Sequence, residues 1–127
     1  MAKRELVFLD THVVVWLYLN KKVFSEKARQ LMSNSQMRIS PMVRLELQLL
    51  HQKKRIAHPF KILTSLKRDF YFDEESADFS QLITQSLSIN FSRDPFDRLI
   101  VAQAKLAGNK LVTKDRDILE NFEGGVW

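Results

Sequence analysis

The stretch Ser92-Arg93-Asp94-Pro95-Phe96-Asp97-Arg98-Leu99-Ile100-Val101-Ala102-Gln103-Ala104 decides how the rest of the chain is read. It reads as the start of a helix. Asp94 is an N-cap residue, able to accept hydrogen bonds from free backbone N–H groups. Pro95 follows at the first helical position, where a missing N–H costs nothing. Asp97 falls in the first turn, where the helix dipole favours a carboxylate. From Phe96 onward the segment is mainly apolar, so the helix is expected to be well buried. Gly108 suits a left-handed C-cap, which gives a helix over 95–107. An acidic cluster at the mouth of a buried helix means little alone. It gains meaning when other carboxylates converge on it.

Working outward, three more acids stand at element edges. Asp10 ends the apolar run Leu6-Val7-Phe8-Leu9, Glu46 interrupts the run from Met42 to Leu50, and Asp115 follows Lys110-Leu111-Val112-Thr113. Residues 5–10 read as a strand without polar alternation, as expected for a parallel strand covered on both faces. Ligands of open α/β sheets bind beyond such strand ends. Thr11 begins the next turn or caps a helix over 12–19. Ser25 caps a helix over 26–33, Met37-Arg38-Ile39-Ser40 is a second strand, and Ser40-Pro41 starts a helix running to Lys53. After Pro59 a helix over 60–67 is expected, then a strand at Phe70-Tyr71-Phe72, then a helix over 74–86 capped by Asp73. Residues 110–113 form another strand and 116–120 a helical turn. Gly124 to Trp127 leave room for a short edge strand. Repeated strand–helix units with short connections predict an α/β sandwich in one domain spanning 1–127.

Composition narrows the class. Apolar residues make up 45% and charged residues 28% of the 127, which fits one globular domain and excludes a disordered chain. No run is long enough to span a membrane. Asp10 and His12 interrupt the apolar stretch after the basic flank Met1-Ala2-Lys3-Arg4, so no signal peptide is expected. Without cysteine there is no disulfide framework, which is compatible with a reducing cytoplasm. The net charge of +5, with Lys53, Lys54, Arg55, Lys61, Lys67 and Arg68 in short clusters, suits an anionic partner such as nucleic acid. An ordinary solvated surface would read the same way.

Carboxylates that converge repel each other unless a cation or proton compensates them. Mg²⁺ and Mn²⁺ are hard ions that take oxygen ligands. Such ions activate water and stabilise a phosphate under attack, so the acids point towards phosphodiester hydrolysis. Each acid also has a plain structural reading: Asp10 as a turn residue, Asp94 and Asp115 as caps, Asp97 as a complement to the dipole. Thr113 and Asp117 read equally as turn residues. Glu46 is more informative. It shares a helical face with Met42, Leu49 and Leu50, where an unpaired acid is costly; a bridge to Arg44 or Arg98 would explain it otherwise. His12, His51 and His58 are scattered without metal-ligand spacing and read as surface or supporting residues. There is no Gly-rich nucleotide loop. His12 also stands where an aspartyl-phosphate phosphatase would carry its second aspartate.

The combination resembles a known family. Leu9-Asp10-Thr11-His12 with Trp16-Leu17 resembles the opening of PIN-domain ribonucleases. Residues 93–104 resemble their VapC-like toxin branch closely, and Leu111-Val112-Thr113-Lys114-Asp115-Arg116-Asp117 resembles the later acidic motif. The likeness covers essentially the full chain. It implies a three-layer α/β/α sandwich with a mainly parallel sheet and a metal-dependent endoribonuclease using Mg²⁺ or Mn²⁺. The implied metal-binding, catalytic acids are Asp10, Glu46, Asp97 and Asp115, supported by Thr11, Asp94, Thr113 and Asp117. Lys53, Lys54, Arg55, Arg93 and Arg98 are the candidate RNA contacts. Many relatives carry a histidine where this chain has Ser92. The branch also implies a homodimer, with Trp16, Tyr18 and the apolar helices as spare surface. It further implies a cognate antitoxin, operator DNA bound only through that antitoxin, and a cytoplasmic location. A non-catalytic nucleic-acid-binding module, a housekeeping RNA-processing nuclease and a small metal-dependent phosphatase are the competing readings.

Overall fold

A computed structural model describes residues 4–127. The basic flank at Met1-Ala2-Lys3 lies outside the described residues. Five short strands form one sheet: β1 (Leu6–Leu9), β2 (Gln36–Ile39), β3 (Phe72–Glu74), β4 (Lys110–Val112) and β5 (Gly125–Val126). Their order is β3-β2-β1-β4-β5, and every pairing is parallel. In the central strand Val7, Phe8 and Leu9 are all buried, which is why β1 shows no polar alternation.

Helices flank the sheet, the layered α/β arrangement expected of an all-parallel sheet. They are α1 (Thr11–Tyr18), α2 (Glu26–Ser33), α3 (Pro41–Gln52), α4 (Pro59–Asp69), α5 (Phe79–Ser86), α6 (Pro95–Ala107) and α7 (Arg116–Asn121). Among the described residues none is long and apolar enough to cross a membrane. Helix α6 forms as its sequence dictates. Asp94 caps it by accepting from the Phe96 N–H at 2.8 Å, and Gly108 ends it at φ +70°. Leu99, Ile100, Val101, Ala102 and Ala104 are buried along its inner face. Each large apolar side chain so covered contributes about 1.5–3 kcal/mol, far more than the cap.

Three local expectations are corrected. Helix α1 is capped by Asp10, not by Thr11, since Asp10 Oδ1 accepts from the Thr11 N–H. The third strand lies two residues later than Phe70-Tyr71-Phe72, because Phe70 closes α4 by donating to the Leu66 carbonyl. Asp73 caps no helix. It sits within β3 opposite Arg38, and α5 begins only at Phe79, capped by Asp78 through the Gln81 N–H. The strand pairing takes the residues that would otherwise have begun the helix.

Candidate active site

Strand order runs outward from β1 in both directions, to β2 and β3 on one side and to β4 and β5 on the other. The crevice beyond the carboxyl ends of β1 and β4 is therefore the topological switch point, where open α/β sheets bind ligands. Asp10 leaves the end of β1 and Thr113 the end of β4, and the two meet. Thr113 Oγ1 donates to Asp10 Oδ2 at 2.7 Å and accepts from the Asp115 N–H at 3.0 Å. One buried hydroxyl thus ties the first acid to the last. Asp115 in turn caps α7 by accepting from the Ile118 N–H.

Glu46 arrives from the middle of α3. It has no bridge to arginine: Arg44 pairs with Glu74, and Arg98 Nε donates to the Ser92 carbonyl at 2.7 Å. Its partner is Thr11, whose buried hydroxyl donates to Glu46 Oε1. Asp97 enters from the first turn of α6, with Ser92 Oγ donating to its Oδ2 at 3.3 Å. Asp10, Glu46, Asp94, Asp97 and Asp115 all line one pocket of about 430 Å³, together with His12, Val13, Trp16 and Lys114.

The crowding shows in the acid strengths. Burial pushes the Asp97 carboxyl up to about 7, helped by Asp94, Asp10, Asp115 and Glu46. Burial also raises Asp10, against the opposing pull of its Thr113 hydrogen bond. Glu46 is raised mainly by burial, with Asp10 and Asp94 adding repulsion. Among the described residues no three His, Asp or Glu side chains are already gathered around one metal-holding point. The acids ring the pocket rather than closing into a finished cage, as uncompensated like charges do.

The PIN domain family model matches residues 7–123. The chain belongs to the PIN-domain family. No curated protein matches it by sequence. Its fold is similar to those of several solved chains, among them the following three. One is in a toxin-antitoxin complex from Klebsiella pneumoniae, at 17% identity and a TM-score of 0.67, covering 95% of this chain and 96% of that one. Another is in VapBC2 from Rickettsia felis bound to a promoter DNA fragment, at 19% identity and a TM-score of 0.64, covering 95% and 96%. The third is in DNA-bound VapBC from Salmonella typhimurium, at 21% identity and a TM-score of 0.64, covering 94% of each.

The remaining expected residues distribute unevenly over this PIN domain. Thr11, Asp94 and Thr113 belong to the pocket or to the hydrogen bonds behind it. Asp117 is exposed in the first turn of α7 and does not line the pocket. Arg93 is exposed beside Asp94, while the Arg98 Nε–H is engaged with the Ser92 carbonyl. Lys54 and Arg55 line a separate groove with Tyr18 and Leu19, at the far end of α1 from Asp10; Lys53 precedes them. Trp16 and Lys114 line the pocket although the sequence reading gives neither a chemical role. Trp16 looked like spare surface, and Lys114 stood unremarked inside the acidic motif. Only the fold shows that both line the carboxylate pocket.

Proposed function

We propose that this PIN domain is a divalent-metal-dependent endoribonuclease acting as the toxin of a toxin-antitoxin pair. The observation that carries the nuclease reading is the gathering of Asp10, Glu46, Asp94, Asp97 and Asp115 around one pocket at the switch point of the sheet. Burial, with repulsion from the other four carboxylates, pushes the Asp97 carboxyl up to about 7. A site that strains against its own negative charge is built for a cation. The donor set consists of hard oxygens, which fits Mg²⁺ or Mn²⁺. Asp10, Glu46, Asp97 and Asp115 would hold such an ion, which would supply water activation and charge stabilisation at an RNA phosphate.

The chain's own residues supply positioning. Thr113 orients Asp10 and Thr11 orients Glu46, so neither carboxylate is free to rotate away. Asp94 holds the α6 N-terminus and adds negative charge beside Asp97. Ser92, in place of a histidine, gives Asp97 a neutral hydroxyl donor. Lys114 is the one lysine or arginine among the described residues lining the pocket and would oppose the charge of a phosphate bound there. Lys53, Lys54, Arg55 and Arg93 contact flanking RNA backbone.

The toxin assignment is supported by the match of residues 93–104 to the toxin branch and by the likeness to chains from toxin-antitoxin complexes. An antitoxin segment would restrain the site, and operator DNA would be bound through that antitoxin. The protein would act in the cytoplasm as a homodimer; Phe79, Ile83 and Leu87 form an exposed apolar row along α5 and its cap. Matched expression of wild type and Asp97→Asn, with mapping of new RNA ends, tests the toxin assignment. Growth arrest with discrete cuts in wild type alone is expected. Normal growth despite abundant active enzyme would overturn the toxin role in favour of RNA processing.

A further inference from the structure

One side of the carboxylate pocket is aromatic. Trp16 and His12 both line it, with ring centroids 6.0 Å apart and planes tilted by 42°. Behind Trp16, the ring of Trp127 stands nearly edge-on at 5.8 Å, and Phe24 lies 5.6 Å from Trp127. Lys114 lines the same pocket and holds its ammonium 5.5 Å from the Trp127 ring. On α1, Val13, Val14 and Val15 are buried, whereas Trp16 stays partly open and His12 is exposed. Hydrolysis at the carboxylates has no use for an indole. An indole braced from behind and wet in front is a stacking surface, and every base has a face to offer it. Bracing also removes rotamer freedom in advance, so ordering the ring on binding costs little. The pocket's volume of about 430 Å³ lies within the roughly 300–1,000 Å³ typical of small-ligand sites. That suits a nucleotide, not a duplex whose bases are already stacked on one another.

We propose that Trp16, flanked by His12, stacks an unpaired RNA base at the edge of the carboxylate pocket, with Lys114 opposing the charge of the adjoining phosphate. The inference rests on the ribonuclease reading and assigns Trp16 as the residue that positions the substrate's base.

The chain has two tryptophans, so Trp127→Phe leaves Trp16 as the sole reporter while keeping an aromatic brace. This protein is titrated with short RNAs that each carry one abasic ribose, in Ca²⁺, a hard ion that takes the same oxygen ligands. Intact RNA should quench the Trp16 emission, and one or two abasic positions should weaken binding about tenfold. The Trp16→Leu protein should bind intact RNA about tenfold more weakly and show no further abasic penalty. Its KM should rise while kcat holds. An unchanged emission at saturation, equal affinity for intact and abasic RNA, or duplex bound as tightly as single strand would each overturn the proposal. Wild-type cleavage of the same RNAs is read separately. Cutting without an abasic effect overturns the stacking alone; neither cutting nor binding overturns the ribonuclease reading with it.

Discussion

Asparagine at position 97 would remove a charge that the metal-free fold holds at a cost. Burial and four neighbouring carboxylates carry Asp97 from an ordinary 3.8 up to about 7. Between those values the folded protein keeps a proton that the unfolded chain releases. Its stability therefore falls as pH rises from about 4 to about 7, and the deficit persists above that. At full value the span is worth about 4 kcal/mol. Asp97 is only half-buried, and solvent screening reduces this to about 1–2 kcal/mol. Asp97→Asn keeps the size of the side chain and an oxygen for Ser92. In EDTA at pH 8 it should be the more stable protein, with Tm higher by about 4–8 °C. The gain should fade towards pH 4. Added Mg²⁺ should then raise the Tm of wild type and scarcely move the variant, because only the intact ligand set gains from binding. Calorimetric scans across this pH range read all of it. A variant less stable than wild type at pH 8, or a gain independent of pH, would refute the reasoning.

Thr11→Val keeps the buried shape and removes the hydroxyl that holds Glu46; it should lose about 1 kcal/mol of stability and about tenfold in Mn²⁺ affinity by titration calorimetry. Gly108→Ala meets no neighbouring atom but must adopt φ +70°, so urea unfolding should show a loss of about 1 kcal/mol with RNA cleavage unchanged. Light scattering should give a dimer for wild type, and Leu87→Glu should shift it towards monomer; a monomer at every concentration would remove the homodimer from the account.

Much of the fold was legible because local chemistry and tertiary packing agree. Asp94-Pro95 and Gly108 mark both ends of α6, and the unbroken apolar run of β1 matches its burial on both sides. The region from Phe70 to Phe79 was misread because two local signals competed. Asp73 is a good cap by type, yet β3 pairing with β2 claims it. The spacing of Asp78 and Gln81 was the better helix signal and is the one the fold uses. Asp10, Glu46 and Asp115 stand out in the sequence because each closes or interrupts an apolar run, and Asp97 because it falls in the first turn of a helix marked by Asp94-Pro95. Their supports could be identified less completely. Thr113 lies 103 residues from Asp10, and Thr11 lies 35 from Glu46, distances across which no periodicity carries information. The aromatic wall was missed for the same reason: Trp16 and Trp127 meet only because α1 and the end of β5 converge.

The central claim is that the carboxylate pocket cuts RNA with the help of a divalent ion. A structured RNA labelled at its 5′ end, incubated with folded wild-type protein and Mg²⁺ or Mn²⁺, tests it most directly. The account predicts internal cuts that stop in EDTA, return with added metal, and fall about a hundredfold or more in Asp97→Asn. Intact RNA across a broad panel with folded, metal-bound wild type, or equal cutting by Asp97→Asn, would contradict it.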